Sequence, residues 1–322
     1  MLAGRLVPGD LEGKRIMYLV LFLGFLLLIT LPYILEGMRK PVSADELKEA
    51  PGDIVQLSKG ATYYEWLGPV RGPVAVLIHG LSTPSAVWKD VAQGLVDSGY
   101  RVLVYDLYGR GLSDAPEGEQ DSGFFLSQLD ELLADQELTD DLTLVGYSMG
   151  GAIATAFAAN EPHRMKRLIL VAPSGIATNE SGFSQFCRTK LILGDWLHGA
   201  MAGLRMRSTI ARDLSAGGHA DVINAQMCEL KRRGFLPAIL SSRRNMLEAI
   251  QEHEHRSISR DGIPVIAIWG DQDTVIPISA VGKLAQWNRM AHQEVVEGAG
   301  HALPYSHGEQ VTSFLRNMLR SN

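Results

Sequence analysis

The fold of this chain is decided by the stretch Leu142-Thr-Leu-Val-Gly-Tyr-Ser-Met-Gly-Gly-Ala-Ile-Ala-Thr-Ala-Phe-Ala-Ala-Asn160. Its first four residues are apolar or β-branched, which is typical of a buried strand, and the alanine-rich run after Ser148 favours a helix. Ser148 is therefore predicted at the turn from strand to helix. Gly146 and Gly150 carry no side chains, so that strand and helix can approach each other closely around it.

This context suits a nucleophilic serine. A serine hydroxyl is a weak nucleophile unless it is held rigidly beside a base and beside donors for an oxyanion. A helix that begins directly after Ser148 supplies unpaired N–H groups and the positive end of its dipole. The spacing G-x-S-x-G alone is a weak signal, and a serine that only packs in a glycine-rich turn fits it too.

The other apolar runs predict an α/β fold with a mostly parallel sheet flanked by helices, because predicted strands and helices alternate along the chain. The predicted strands are residues 53–57, 62–66, 74–78, 102–105, 142–145, 167–171, 263–269 and 293–296. From 176 to 260 the alternation stops, and helix formers predict a helical cap between strands 6 and 7. This segment has 12 Lys and Arg residues against 8 Asp and Glu residues, a net charge of +4.

The predicted cap has two interpretations. As a lid over the strand ends, its apolar residues would line an acyl pocket and four of its arginines would face anionic lipid: Arg232, Arg233, Arg243 and Arg244. A packed helical cap with a solvated basic face fits the same pattern.

Residues 16–35 contain no charged side chain, and as a helix they would span about 30 Å, the thickness of a bilayer's hydrocarbon core. Tyr18 and Tyr33 lie where interfacial aromatic residues are expected. We interpret this run as a single-pass membrane anchor. A cleaved signal peptide with residues 42–44 as its cleavage site is the alternative, but the apolar run is long for one and the site lies far beyond it. The sequence leaves the membrane face of the domain open.

The sequence thus predicts six segments. They are a tail (1–15), a transmembrane anchor (16–35), a linker (36–51), the first part of a core (52–175), a helical cap (176–260) and the second part of the core (261–322).

Composition excludes little else. The formal net charge of −6 gives no indication of a nucleic-acid partner. Cys187 and Cys228 are not spaced as a metal motif, and two unpaired core thiols are favoured over a single disulfide.

Residues that follow the predicted strands have separate expected roles. The backbone N–H groups of Leu81 and Met149 are expected to be the two oxyanion donors. His79, which comes directly after the strand 74–78, is expected to be a structural histidine. Asp106 is expected to tie down its own glycine-rich loop through backbone N–H groups.

These motifs together resemble the α/β-hydrolase family over nearly all of the chain after the apolar run. The resemblance rests on His79-Gly80, residues 106–114, 146–151 and 270–277, and Gly300-His301, and on the order Ser, Asp, His after successive strands. Within the family the chain is similar to small esterases and monoacylglycerol lipase-like members, and its anchor to membrane-bound monoacylglycerol lipases. Haloalkane dehalogenases and epoxide hydrolases share the fold but have an Asp nucleophile, so Ser148 disfavours them.

The resemblance implies a catalytic triad. Ser148 would be the nucleophile, His301 the base, and the carboxylate three residues after Gly270, Asp273, the acid. Asp271 is the neighbour most easily confused with it. The resemblance implies no metal or organic cofactor.

We therefore expect a membrane-anchored serine hydrolase that cleaves carboxylic esters, with monoacylglycerols or other lipid esters among the candidates. Its expected partners are a small-molecule ester or lipid and, through the N-terminal helix, a membrane. The same triad also serves carbon–carbon hydrolases, aminopeptidases, and methyl ester or thioester esterases acting on an acyl carrier. A non-catalytic binding module on this fold is a further alternative, which an intact triad disfavours.

Overall fold

A computed structural model describes residues 8–215 and 217–320. The first seven residues of the predicted tail and the last two of the predicted core lie outside this range. The sheet has eight strands: β1 Asp53–Gln56, β2 Ala61–Leu67, β3 Val74–Ile78, β4 Arg101–Tyr105, β5 Leu142–Tyr147, β6 Met165–Val171, β7 Val265–Gly270 and β8 His292–Val296. They lie in the order β1-β2-β4-β3-β5-β6-β7-β8, antiparallel at the β1–β2 and β2–β4 pairs and parallel elsewhere. The predicted α/β-hydrolase fold with a mostly parallel sheet is confirmed.

Thirteen α-helices lie in the described part of the chain: α1 Pro8–Gly37, α2 Ala44–Glu49, α3 Lys89–Asp97, α4 Ser122–Asp135, α5 Met149–Asn160, α6 Gly182–Thr189, α7 Leu191–Ser215, α8 Ala220–Glu229, α9 Phe235–Arg244, α10 Glu252–Arg260, α11 Ser279–Trp287, α12 Leu303–Ser306 and α13 Gly308–Arg320. A 3₁₀ turn, Ser85–Trp88, precedes α3. Helices α6 to α10 form the insertion between β6 and β7.

The sheet is buried on both faces. Strands β5 and β7 are buried throughout, and apolar clusters lie on either side of them. α10 belongs to the flanking helices rather than to a separate cap, because its Ile258 lies in the sheet's core and its His255 stacks on Trp287 of α11. The last residues of the predicted cap therefore pack beside the sheet.

The predicted linker contains a helix. Ser43 and Glu46 form a capping box at the start of α2, in which each side chain accepts a hydrogen bond from the backbone N–H of the other residue. The reciprocal capping explains why a short polar segment is helical here.

α1 is longer than the predicted anchor and, within the described residues, is the one helix long and apolar enough to cross a membrane. Only 6% of its most apolar window is buried, whereas a core helix of a soluble protein is mostly buried. Its end is not free: Glu36 accepts a hydrogen bond from the Gly234 N–H (2.6 Å), and Lys40 donates its N–H to the Lys231 carbonyl (3.1 Å). Arg233 donates to the Gly37 carbonyl (3.0 Å).

The four arginines expected to face lipid are engaged elsewhere or partly buried. Arg232 pairs with Glu46 and Glu229, and Arg244 pairs with Asp195. Arg233 binds the end of α1, and Arg243 is half-buried. The structure therefore gives these residues no common open face.

Both cysteines are free thiols. Cys187 is buried, as expected, but Cys228 is exposed, so the expectation of a core position for it is wrong. It lies on the open side of α8.

Replacing Gly146 by Ala should destabilise the fold, because a methyl group there would collide with the Gly150 carbonyl oxygen and the Gly151 Cα. We expect a loss of at least about 2 kcal/mol. The control is Gly282→Ala in the middle of α11, where nothing lies within 4 Å of the added carbon; it should gain roughly 0.5–1 kcal/mol. Thermal unfolding of both variants in detergent measures this, and equal stability of the two would contradict the close packing at the turn.

His255 should make the protein sensitive to acid. Burial lowers its pKa to about 4, and neither ring nitrogen has a hydrogen-bond partner among the described residues. Below pH ~6.5 the unfolded chain binds a proton at this residue and the folded protein does not. The free energy of unfolding therefore falls by about 1.4 kcal/mol for each unit by which the pH is lowered from ~6.5 to ~4.

His255→Phe keeps a ring against Trp287 and removes this proton uptake. Between pH 7.5 and pH 5 the variant should therefore lose about 2 kcal/mol less stability than the parent. His253→Gln, on the exposed side of the same helix, is the control, because it removes an imidazole and leaves the buried ring of His255 in place. Denaturant unfolding across pH checks both; an unchanged slope in His255→Phe would contradict the assignment.

Candidate active site

Ser148 stands at the turn between β5 and α5 with φ 52° and ψ −117°, a backbone conformation that non-glycine residues rarely adopt. Such strain costs on the order of 1–3 kcal/mol and persists only where the surroundings enforce it. Here the Ser148 N–H donates to the Val171 carbonyl at 3.0 Å, which fixes the turn to the neighbouring strand β6. A side chain on Gly150 would collide with the Ile78 carbonyl of β3. The hydroxyl is thus held at the carboxyl end of the sheet.

The structure brings Ser148, His301 and Asp273 together. His301 Nε2 lies 3.0 Å from Ser148 Oγ, and His301 Nδ1 lies 2.8 Å from Asp273 Oδ2. Asp273 is buried, and its other oxygen accepts the N–H groups of Val275 (2.7 Å) and Ile276 (2.9 Å). These bonds hold the carboxylate toward the imidazole.

Asp271 is directed elsewhere. Its Oδ1 accepts the N–H of Gly298 at 2.7 Å and so ties the loop after β7 to the loop after β8. Of the two carboxylates considered from the sequence, the geometry places Asp273 on the histidine and Asp271 in the turn.

Tyr147 supports His301 from two directions, a role that was not predicted from the sequence. Its hydroxyl donates to the His301 carbonyl at 2.8 Å, and its ring lies 5.3 Å from the imidazole, centroid to centroid. Burial raises the pKa of Tyr147 well above its ordinary value, so the hydroxyl keeps its proton as a donor. Tyr305 in α12 makes a similar bond, because its hydroxyl donates to Asp213 of α7 at 3.2 Å.

The two residues expected to hold an oxyanion flank the serine. Met149 begins α5, so its N–H is one of the helix's first donors. Leu81 follows Gly80, where an added Cβ would lie 3.4 Å from the Ser148 Cβ. Both backbone segments thus lie next to Ser148.

Arg110 connects the Leu81 loop to the insertion. Its side chain is buried, and Nε donates to the Leu81 carbonyl at 3.0 Å while another nitrogen donates to Ser242 of α9 at 2.8 Å. Burial lowers the pKa of Arg110 to about 9, so it remains charged at neutral pH. Arg110 could not be singled out from the sequence, because its partners Leu81 and Ser242 lie far from it along the chain.

His79 and Asp106 behave as predicted from the sequence. His79 Nδ1 donates to the Gly80 carbonyl (2.9 Å), and Nε2 accepts the Leu107 N–H (2.9 Å). Burial lowers the pKa of His79 to about 3, so it is neutral and structural. Asp106 accepts the N–H groups of Ser85 (2.7 Å) and Leu112 (2.9 Å), the second of which closes its own loop.

A separate cavity of about 800 Å³ lies between α1, the α6–α7 corner and α9. Its apolar wall includes Pro32, Leu191, Leu236 and Leu240, and its charged residues include Arg188 and Arg244. Ser148, Asp273 and His301 are not among its lining residues. In residues 8–215 and 217–320, no group of three His, Cys, Asp or Glu side chains is arranged to hold a metal ion.

Comparisons with known proteins find similar sequences and similar structures. A sequence model of the Hydrolase_4 family, described as serine aminopeptidase, S33, matches residues 69–305. A pimeloyl-[acyl-carrier protein] methyl ester esterase from Aeromonas salmonicida is 29% identical over 260 residues, which cover 76% of this chain and 95% of the relative. A putative non-heme chloroperoxidase from Synechocystis is 25% identical over 80% of this chain and 94% of its own.

Solved structures share the fold. The carboxylesterase CesB from Bacillus subtilis superposes with a TM-score of 0.70 at 17% identity, covering 93% of this chain and 98% of that one. A protein described as a membrane phospholipase A gives a TM-score of 0.67 at 22% identity, covering 96% and 98%. At these identities the likeness concerns the fold.

Asp273→Asn should lower kcat by about 10³- to 10⁴-fold. The amide can donate to Nδ1 of His301, which favours the tautomer whose Nε2 carries the proton and cannot accept one from Ser148. The neutral amide also cannot stabilise the imidazolium. Asp271→Asn makes the same chemical change two residues away and keeps an oxygen that accepts the N–H of Gly298. It should therefore keep kcat within about tenfold of the parent. Steady-state ester hydrolysis by both variants compares them. The reverse ranking would assign the acid to Asp271.

Proposed function

Since the chain belongs to the Hydrolase_4 (serine aminopeptidase, S33) family of α/β hydrolases, we propose that it cleaves carboxylic esters with Ser148, His301 and Asp273 as its triad. The observation that carries this proposal is the unbroken hydrogen-bonded chain from Ser148 Oγ through both imidazole nitrogens to Asp273. Such a chain is the arrangement that raises the nucleophilicity of a serine hydroxyl.

The reaction then runs in two halves. His301 Nε2 takes the proton of Ser148 as Oγ attacks the ester carbonyl carbon, and the carbonyl electron pair moves to oxygen. The N–H groups of Leu81 and Met149 stabilise this oxyanion, each contributing on the order of a hundred-fold or more in rate. Collapse of the intermediate breaks the ester C–O bond, and His301 returns the proton to the leaving alcohol. Water repeats the sequence on the acyl-enzyme and releases the acid.

The family description makes an aminopeptidase the second candidate. An aminopeptidase needs acidic groups that hold the substrate's amino terminus, whereas residues 176–260 have a net charge of +4. Asp213, an acidic group of the insertion that acts electrostatically on His301, is already bound by Tyr305, and burial raises its pKa. These observations favour a neutral or anionic ester over a peptide amine.

We further propose that α1 anchors the enzyme in a membrane and that its substrates are lipid esters. In support, residues 16–35 of α1 carry no charge, and most of their large apolar side chains are exposed. A signal sequence near the N-terminus has similar composition, but the many polar contacts between the end of α1 and residues 230–234 favour a retained helix. The likeness to the membrane phospholipase A covers 96% of the chain and so includes much of α1.

Ser148→Ala and His301→Ala should each reduce ester turnover by at least about 10³-fold while the melting temperature stays near that of the parent. Ser208→Ala, an exposed serine of α7, is the matched control and should keep full activity. The assay compares acetyl to long-chain monoacylglycerols with an aminoacyl anilide in detergent. A fluorophosphonate probe should label the parent and not Ser148→Ala.

The outcomes separate the candidates. Residual turnover near the parental rate in either triad variant would refute the triad. Faster cleavage of the aminoacyl anilide would replace the esterase by an aminopeptidase, and activity confined to short esters would refute the lipid substrate.

A further inference from the structure

We propose that the N-terminal half of α7, residues 191–204, is a second membrane-embedded element, which lies in the same leaflet as the C-terminal half of α1. Its partner is the hydrocarbon of the leaflet that faces the catalytic domain. The inference rests on the proposed anchoring role of α1 and adds a surface on the insertion itself.

The first observation is a hydrogen bond between the two helices. Pro32 has no backbone N–H, so the carbonyl of Leu28, four residues earlier in α1, lacks its helical partner. The indole N–H of Trp196 in α7 donates to this carbonyl at 2.8 Å. An unpaired carbonyl in hydrocarbon is costly, whereas in water the solvent would satisfy it. Trp196 therefore supplies the missing hydrogen bond to Leu28, which the hydrocarbon of a bilayer could not supply.

The second observation is the close approach that makes this bond possible. Gly199 lies one turn after Trp196, and an added Cβ there would lie 2.7 Å from the Pro32 Cβ. A small residue at a contact between apolar helices allows the backbones to meet, as is common in membranes. α7 thus runs beside α1 over the residues around Pro32.

The third observation is depth. Leu28 lies seven residues before Leu35, where the uncharged run of α1 ends. At 1.5 Å per residue this is about 10 Å along the helix axis, comparable with the depth to which interfacial helices are immersed. If α1 spans the bilayer, Trp196 and the turn that precedes it lie below the headgroups.

The exposed surface of α7 matches that environment. Large aliphatic side chains are open there: Leu191 is 66% exposed, Ile192 84%, Leu193 67% and Leu204 67%. Leu193 and Leu204 are eleven residues apart and so share one helix face. So dense an apolar surface is unfavourable in water and is typical of a membrane or protein contact.

Few charges lie within residues 191–204 themselves. Asp195 is the only acidic or basic residue, apart from His198, between 191 and 204, and it is paired with Arg244 at 2.6 Å. Arg205 and Arg207 follow directly and are exposed, at the position where lipid phosphates would lie. Continuity with the apolar surface of α1 favours lipid over a protein partner.

Depth-dependent quenching tests the placement in the full-length protein. In a Cys228→Ser background, whose remaining cysteine is buried, single cysteines at Leu193 and Leu204 would carry an environment-sensitive fluorophore. The protein is reconstituted in phosphatidylcholine–phosphatidylglycerol vesicles with brominated acyl chains. Val70→Cys and Met290→Cys, 87% and 78% exposed as native side chains and outside the insertion, are the controls.

We expect strong bromine quenching at position 193, weaker quenching at position 204, which lies about 12 Å nearer the headgroups than Trp196, and none at the controls. Iodide quenching from water at 193 and 204, without bromine quenching, would overturn the proposal. Leu21→Cys in α1 distinguishes the failures: quenching there but not at 193 and 204 refutes the α7 contact alone, and no quenching at Leu21 refutes the anchor on which it rests.

The helix contact itself has a rescue test. Trp196→Phe leaves the Leu28 carbonyl unpaired and should lower the melting temperature in vesicles. Pro32→Ala supplies the missing N–H within α1, so Trp196→Phe should cost much less in that background. An equal shift in both backgrounds would show that Trp196 acts through packing alone and would contradict a stabilising role for its hydrogen bond to Leu28.

The last readout is activity at the membrane. Leu193→Ser with Leu204→Ser should reduce hydrolysis of a vesicle-borne monoacylglycerol at least fivefold and leave hydrolysis of a water-soluble butyryl ester unchanged. Equal losses on both substrates, or no loss on either, would contradict a role of this surface at the lipid.

Discussion

The strained turn at Ser148 is the constraint on which the rest of the structure depends. A non-glycine residue keeps a positive φ only when its neighbours enforce it, and here β5, β6 and α5 do so together. The two glycines of the turn admit the backbones of β3 and α5 at distances that any side chain would prevent. The parallel sheet then brings the loops after β7 and β8 to the same edge, where Asp273 and His301 reach the hydroxyl.

Much of this arrangement follows from local sequence. Strand ends are marked by glycine and polar residues after apolar runs, so the positions of Ser148, Asp273 and His301 at one edge could be anticipated from the alternation of strands and helices. The fold was predicted and is confirmed, and the assignment of catalytic roles to these residues stays a prediction that the geometry supports. The choice between Asp271 and Asp273 needed a resemblance first and then the observed hydrogen bonds. The two carboxylates lie in the same loop after β7, and the local sequence does not show which of them faces His301 in the loop after β8.

What the sequence did not reveal are contacts between distant segments. Arg110 binds Leu81 and Ser242, and Trp196 binds Leu28, 168 residues away. Nothing local marks such pairs, since a buried arginine and a partly exposed tryptophan each have many possible partners. The arginines of the insertion show the converse: their clustering suggested a lipid-facing patch, but several of them pair with carboxylates and carbonyls of the protein itself.

The hydrogen bonds at the end of α1 make that helix a stiff extension of the insertion instead of a loose tether. Residues 230–234 bind Glu36, Gly37, Arg39 and Lys40, and α9, which follows them, contacts Arg110 beside the Leu81 loop. A spanning helix responds to a thicker or thinner bilayer by changing its tilt. With the anchoring proposed above, a change of tilt would therefore be passed directly to the insertion, because no flexible segment at the end of α1 would absorb it.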